Sequence, residues 1–205
     1  MEKSLSHTVK ALMADPKGLL AADESTKSCC KRFDALKITC DEESRRQWRQ
    51  LLCMSPNINR YISGVILYDE TKWRSAFQIA DGSPSLSVIK ANLMVMARYA
   101  SMVQTAGMVP IVEPEVLYEG DHSIDTAART TGEVLKVLFE MLELLKVDLS
   151  GLILKTSMVL AGTQNTMSKP QEVADYTLKV LNKSVPRAVG GIVFLSGGQS
   201  PEQAS

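Results

Sequence analysis

The sequence predicts an α/β fold built on a parallel sheet covered by helices, and three observations predict it. Short, nearly continuous apolar runs at 18–22, 62–68, 109–113, 151–155 and 190–195 alternate with stretches of helical periodicity. Strands that are apolar on both faces belong to parallel sheets clothed by helices. Four of the runs finish in ionisable groups at the same end, at Asp23, Glu70, Glu113 and Lys155. Such sheets keep their chemistry at the C-terminal ends of the strands, whether closed into a barrel or left open. The composition, 45% hydrophobic and 22% charged over 205 residues, supports a substantial core and excludes a disordered chain.

Residues 4–14 place Leu5, Val9, Leu12 and Met13 at helical spacing, and Asp15-Pro16-Lys17-Gly18 breaks the run. Gly18-Leu19-Leu20-Ala21-Ala22 then reads as a buried strand. A helix follows over 28–36 with Cys29, Cys30, Phe33 and Leu36 on one face. Asp41-Glu42-Glu43 opens a second helix that turns Trp48, Leu51 and Leu52 inward and stops at Ser55-Pro56-Asn57. The β-rich run Ile62–Tyr68 comes next. Beyond it the pattern is regular: a helix over about 85–104 ended by Gly107, a strand at 109–115, and a helix over about 124–146 with Leu135, Leu138, Phe139, Leu142 and Leu145 inward. A strand at 151–155, a helix started by Pro170 and the run 190–198 complete it.

Two places break the alternation. After Tyr68-Asp69-Glu70-Thr71 the chain enters a second strand-like run, Lys72–Ile79, with no helix between. Parallel neighbours need a crossover of a dozen residues or more, so the two runs cannot both be strands in one parallel sheet as written; they are expected to merge, turn antiparallel or mispair. At the other end, Ser200-Pro201-Glu202-Gln203 has the pattern of a capped helix start, and the expectation is that a continuation is missing after Ser205.

Lys+Arg and Asp+Glu are both 23, so no overall field draws nucleic acid or an anionic membrane, and any anion must be caught locally. No run is long and apolar enough for a membrane span, and the N-terminus lacks the apolar core of a signal peptide, which favours the cytoplasm. Cys29, Cys30, Cys40 and Cys53 form no C-x-x-C pair and the only histidines are His7 and His122. Reduced packing thiols and no metal site are expected.

Lys155 ends an apolar strand. A lysine there either sends its ammonium to solvent along a packed stem or serves as a Schiff-base nucleophile. The second role needs a neutral amine, which desolvation or a nearby cation such as Lys72 would favour. Glu113 and Glu115 lie two apart on one strand face, so both carboxylates can enter one site, or both can cap a solvated strand exit. Asp23-Glu24-Ser25 reads as a helix cap or as a proton-transfer group awaiting a partner. Ser196-Gly197-Gly198 follows an apolar strand; its amides could converge on a phosphate, or the glycines could make a tight turn. Arg45-Arg46 belongs to a solvated, charge-laced helix face.

Taken together, these segments resemble class I fructose-bisphosphate aldolases. The matching stretches are Gly18–Thr26, Gly64–Leu67 with Glu70-Thr71, Lys72-Trp73-Arg74-Ser75, Ala97-Arg98-Tyr99-Ala100, Val109–Glu115, Leu154-Lys155 with Met158-Val159, and Phe194–Ser200. They occur in family order over nearly the whole chain. The resemblance implies reversible cleavage of fructose 1,6-bisphosphate into dihydroxyacetone phosphate and glyceraldehyde 3-phosphate, a step of glycolysis and gluconeogenesis. It implies no cofactor and no metal, sugar phosphates as ligands, and a homo-oligomer, tetrameric in the family. Lys155 matches the Schiff-base lysine, Glu113 the proton-shuttling acid, Asp23 the carboxylate beside the breaking bond, and Lys72 the cation that keeps Lys155 reactive. Glu115 matches a group that orients these lysines. Ser196, Gly197 and Gly198 match one phosphate cradle; Ser25, Ser28 and Arg32 correspond to groups near the other phosphate, and Arg74 to an arginine lining the site.

Three departures accompany the resemblance. A strand with its helix and the start of the next strand, which the family carries between the positions of Thr71 and Lys72, is absent. The family continues past the position of Ser205. Lys27 stands for a glycine, and Thr156-Ser157 for Pro-Asn. The implied fold over 1–205 is a single TIM (β/α)8-type barrel domain, incomplete, with about six of eight strands and unpaired edges. Two other readings remain at this level. One is a catalytically silent aldolase remnant acting through oligomerisation or a full-length partner; the other is a generic phosphate-binding α/β module resting on Ser196-Gly197-Gly198.

Overall fold

The structure is a computed structural model that describes residues 4–66, 72–81, 83–195 and 199. Its elements run α1 (Leu5–Leu12), β1 (Gly18–Ala21), α2 (Thr26–Ala35), α3 (Glu42–Cys53), α4 (Ile58–Tyr61), β2 (Ile62–Ile66), β3 (Lys72–Phe77) and α5 (Leu86–Thr105). Then come β4 (Ile111–Val116), α6 (Ile124–Leu144), β5 (Ile153–Ser157), α7 (Pro170–Ser184) and β6 (Gly191–Leu195).

The helices start where short polar side chains can satisfy their first amides. Ser25 accepts from the Ser28 N–H at 3.2 Å, Ser85 from Val88 at 3.4 Å and Ser123 from Thr126 at 3.2 Å. Asp41 and Ser44 form a reciprocal capping box at the head of α3. Pro170 sits in the first turn of α7, where its missing N–H costs nothing. Three helices stop alike. Gly107 (φ 76°), Lys37 (φ 57°) and Lys146 (φ 55°) take the left-handed conformation just past α5, α2 and α6. The next amide in each case, from Met108, Ile38 or Val147, bonds back to the carbonyl of Val103, Phe33 or Leu142.

The strands form two parallel sheets, β1-β2 and β3-β4-β5-β6. The expectation that the Ile62 and Lys72 runs merge, turn antiparallel or mispair is corrected: both are parallel strands, β2 paired with β1, and β3 paired with β4 through a crossover containing α5. Among the described residues six strands are present and the ring does not close, as expected for an incomplete barrel. The two sheets nevertheless share an interior. Ile66 of β2 packs in one cluster with Ile111 of β4, Ile153 of β5 and Val9 of α1. There α1 crosses the N-terminal ends of the strands so closely that a Cβ on Gly191 would come within 2.6 Å of the Met13 side chain, and one on Gly190 within 2.8 Å of Val9. The larger core lies outside the sheet, where Leu93, Met96, Leu135, Leu138 and Leu142 of α5 and α6 cover Val112, Leu152 and Leu154.

Three further expectations are corrected. Cys30 and Cys40 are joined in a disulfide, leaving Cys29 buried and Cys53 exposed as thiols. The turn after α2, fixed by the Ile38-to-Phe33 bond, brings Cys40 back to a Cα separation of 5.2 Å from Cys30. Leu51 and Leu36 point outward, 63% and 68% exposed, since α3 turns Trp48 against Phe33 and Arg49 toward Ala22 and Glu24. Lys155 and Glu113 lie within their strands, which run on to Ser157 and Val116. A charged residue ends an apolar run in the sequence, but Thr156 and Ser157 continue the ladder against Phe194 and Leu195. Glu70 and the Ser200–Gln203 pattern lie outside the described residues.

Candidate active site

The site forms where the ladder between β4 and β5 stops. That ladder pairs Ile111 with Ile153 and Val112 with Leu154 and goes no further, whereas β3 stays paired with β4 as far as Phe77 and Val116. Pro114 has no N–H to give β5, and past it the Ser157 hydroxyl, not a carbonyl, accepts the Val116 N–H at 3.3 Å. Glu113 and Lys155 stand at this loosening. Their side chains face each other with Nζ–Oε2 at 3.6 Å, 11% and 5% exposed for Lys155 and Glu113. Two opposite charges this shielded from water attract far more than a surface pair, and a proton has a short path between them.

Glu115 lies two residues on, on the same face, and its carboxylate is bonded by the Arg74 guanidinium of β3. The Glu115 hydrogen bond, helped by the charges of Glu115, Glu113 and Glu119, raises the Arg74 pKa above its ordinary value although burial opposes it. Glu115 thus orients an arginine, and the lysine takes Glu113. The Arg74 side chain remains half exposed, an anchored cation at the mouth of the acidic pair.

Lys72 opens β3, level with Ile111 and hence with Ile153. That is two residues below the level of Lys155, about 6–7 Å along the strand. The Lys72 side chain lies outside the described residues, and so do Ser196, Gly197 and Gly198.

Asp23 follows β1 and is half-buried. The stretch that carries it is held by contacts the sequence did not advertise. Arg49 of α3 donates to the carbonyls of Ala22 and Glu24, both at 3.2 Å, and Trp48 Nε1 donates to Glu24 Oε1 at 3.3 Å. Arg32 joins the same Glu24 oxygen at 2.5 Å. Ser25 caps α2 and its hydroxyl lies 3.0 Å from that of Ser28 in the first turn, while Arg32 lies in the last turn of the same helix. The charged face of α3 is as expected, with Arg46 making a two-pronged contact to Glu43.

Sequence reasoning also missed the clasp that ties the loops after β4 and β5. Gln164 N–H donates to the Gly120 carbonyl at 2.8 Å, Gly162 N–H to His122 at 2.8 Å, and Gln78 Nε2 reaches the Glu119 carbonyl at 2.6 Å. A Cβ at Gly162 would lie 2.3 Å from the Gly120 oxygen, so only glycine fits there. Its one trace in the sequence is a glycine in each loop. Among the described residues no group of three or more His, Cys, Asp or Glu is placed to hold a metal ion. A hollow of about 1040 Å³ lies between α6 and α7 and is lined by none of Lys155, Glu113, Glu115, Arg74 and Asp23.

This arrangement offers a shielded amine beside a carboxylate, a cation anchored at the mouth, and a third carboxylate on a braced stretch. A family model described as fructose-bisphosphate aldolase class-I matches residues 4–71 and 71–205. The chain is 34% identical over 267 aligned positions to a probable fructose-bisphosphate aldolase class 1 of Xanthomonas campestris, covering 99% of this chain and 80% of that protein. It is 35% identical to a non-muscle-type fructose-bisphosphate aldolase of Lethenteron camtschaticum, covering 100% of this chain and 74% of that one. Among solved structures, fructose-bisphosphate aldolase from Plasmodium falciparum, crystallised with TRAP and a small-molecule inhibitor, superposes with a TM-score of 0.92 at 33% identity. The match covers 98% of this chain and 77% of that one. With the family model matching from residue 4 to residue 205 and relatives 34–35% identical over nearly the whole chain, the chain belongs to the class I fructose-bisphosphate aldolase family.

Proposed function

We propose that this chain cleaves fructose 1,6-bisphosphate reversibly into dihydroxyacetone phosphate and glyceraldehyde 3-phosphate, with Lys155 as the nucleophile. The observation that carries the reading is the shielded Lys155–Glu113 pair, 3.6 Å apart. In this reading the neutral Lys155 Nζ attacks the ketone carbon. A C–N bond forms, the carbonyl electron pair moves to oxygen, and Glu113 gives that oxygen a proton. Glu113 then takes a proton from the attached nitrogen and returns it to the hydroxyl. That hydroxyl leaves as water as the nitrogen lone pair forms the C=N bond, and the resulting iminium is the electron sink. The carbon–carbon bond then breaks with its electrons passing into an enamine on Lys155. The hydroxyl proton of the departing aldehyde carbon goes to a base, the role matched by Asp23. Protonation of the enamine carbon and hydrolysis of the imine return the lysine.

Arg74, fixed by Glu115, supplies positive charge for a phosphate at the mouth, and Ser25, Ser28 and Arg32 do so on the α2 side. Lys72 is the cation assigned to Lys155, and Ser196, Gly197 and Gly198 the second phosphate cradle. A cytoplasmic homo-oligomer completes the reading; its support is family membership, together with the observation that no described helix is long and apolar enough to cross a membrane.

Incubation with dihydroxyacetone phosphate followed by borohydride should leave a stable mass adduct on Lys155, absent from Lys155→Ala. Glu113→Gln should slow adduct formation by about 10²–10⁴, the usual worth of a positioned proton donor. A folded native chain that forms no adduct overturns the assignment.

A further inference from the structure

Asp23 sits in a stretch with no regular structure of its own. β1 ends at Ala21 and α2 begins at Thr26, so four residues carry the chain from sheet to helix. The upstream end is fixed by the sheet, where buried Ala22 donates its N–H to the Ile66 carbonyl at 3.1 Å. The downstream end is fixed by the Ser25 cap on the Ser28 N–H. Between these anchors the carbonyls of Ala22 and Glu24, the residues on either side of Asp23, are both taken by one guanidinium. Arg49 donates from Nε to Ala22 and from Nη2 to Glu24, each at 3.2 Å. These two N–H groups form a rigid fork, and a fork that grips two acceptors at a set spacing holds the backbone of Asp23 in one arc. A lysine ammonium carries the same charge without that geometry.

Helix α3 delivers the fork. Arg46, three residues earlier, lies on the solvated side with Glu43, both side chains more than half exposed. Trp48 and Arg49 are half-buried and turn toward the Asp23 stretch. The approach of the helix is set by Trp48, whose ring meets that of Phe33 edge-on at 6.4 Å and whose Nε1 shares Glu24 Oε1 with Arg32. Thus two carbonyls and one carboxylate flanking Asp23 are held from outside the sheet. A base works only within hydrogen-bond reach of the proton it takes, and a misplacement of about 1 Å costs about 10²-fold in rate.

We propose that Arg49 is a positioning residue for carbon–carbon cleavage: its fork on the Ala22 and Glu24 carbonyls sets where the Asp23 carboxylate meets the substrate hydroxyl. The inference rests on the roles proposed above for Lys155 and Asp23, and adds a residue that acts only through Asp23. Lys155 and Glu113 stand on β5 and β4, held by the ladders among β3, β4, β5 and β6. Schiff-base formation therefore does not draw on the fork, and the two steps come apart.

The test measures the two steps separately in the full chain. Borohydride trapping with dihydroxyacetone phosphate reports attack by Lys155 without cleavage, whereas turnover of fructose 1,6-bisphosphate needs both. Arg49→Lys keeps the charge and loses the fork. It should trap at the wild-type rate and melt cooperatively, yet lower kcat for cleavage by about 10²-fold with KM within about twofold. In Arg49→Ala, added methylguanidinium should restore part of the cleavage and methylammonium should not. The double variant Arg49→Lys/Asp23→Asn should cleave no more slowly than Asp23→Asn alone, because the one residue acts through the other. Arg46→Ala, on the solvated side of the same helix, should leave both steps unchanged. Three results overturn the proposal: cleavage by Arg49→Lys at the wild-type rate, losses that multiply in the double variant, or trapping and cleavage that fall together with cooperative melting. The last would make Arg49 only a fastening for α3. A wild-type chain that forms no adduct, or forms it without cleaving the bisphosphate, fails the underlying reading and the proposal with it; adduct and cleavage in wild type with an indifferent Arg49 fail the proposal alone.

Discussion

At the scale of single residues, what decides the chemistry is which oppositely charged groups meet out of water. Lys155, Glu113, Glu115 and Arg74 are ordinary side chains whose value here comes from pairing: Lys155 with Glu113 in a shielded spot, Glu115 with an arginine at the mouth. The spacing of Glu113 and Glu115 made a shared face legible, since alternate strand residues point the same way. Their partners were not legible, because pairing across strands depends on register. Register sets Arg74 beside Glu113 and within reach of Glu115. Tyr99 shows a second consequence of burial. Taking its ring out of water penalises the phenolate and pushes its pKa up to about 12. Below the ordinary tyrosine value of about 10 both folded and unfolded chains keep the proton, and the stabilising difference is fully present. Between that value and about 12 the unfolded chain loses the proton first, so stability falls as pH rises through this window. Absorbance at 295 nm should show one tyrosine ionising with a midpoint near 12, and Tyr99→Phe should remove that step and flatten the alkaline loss of stability.

At the scale of elements, helix starts were readable and helix stops only partly so. Serine, aspartate and proline at the heads of α2, α3, α5, α6 and α7 signal their positions because their side chains, or the lack of an N–H, suit the first turn. Gly107 signalled the end of α5 for the matching reason at the other terminus. The same left-handed turn occurs at Lys37 and Lys146, where a Cβ is crowded against the backbone and nothing in the sequence flags it. Lys37→Gly and Lys146→Gly should each raise stability by about 1 kcal/mol, read as a higher denaturant midpoint with unchanged slope. The ends of β4 and β5 were read too short for a related reason. A charge closes an apolar run in the sequence, but a strand ends only where its ladder ends, and Thr156 and Ser157 are held by β6.

At the scale of the whole molecule, the disulfide and the open ring both turn on long-range placement. Cys30 and Cys40 are close only because the chain past α2 folds back, and the pairing changes what is expected of the thiols. Native protein treated with iodoacetamide should label Cys53 at once and Cys29 only after unfolding, with two further thiols appearing on reduction. Four reactive thiols in unreduced, unfolded protein would show the pair to be open. The ring is a different case. The broken alternation at Thr71–Lys72 marked a place where no crossover fits, though not how the two runs would pair. The sequence by itself therefore determined the α/β class, the succession of strands and helices along most of the chain, and the place where the alternation breaks, because periodicity, caps and motif order are local properties of the chain. Only the tertiary structure decided that β2 and β3 belong to separate sheets around one interior, that Glu113 meets Lys155 while Glu115 holds Arg74, and that Arg49 and Trp48 brace the Asp23 stretch. Each of these depends on register and packing between segments tens of residues apart, which no local pattern encodes.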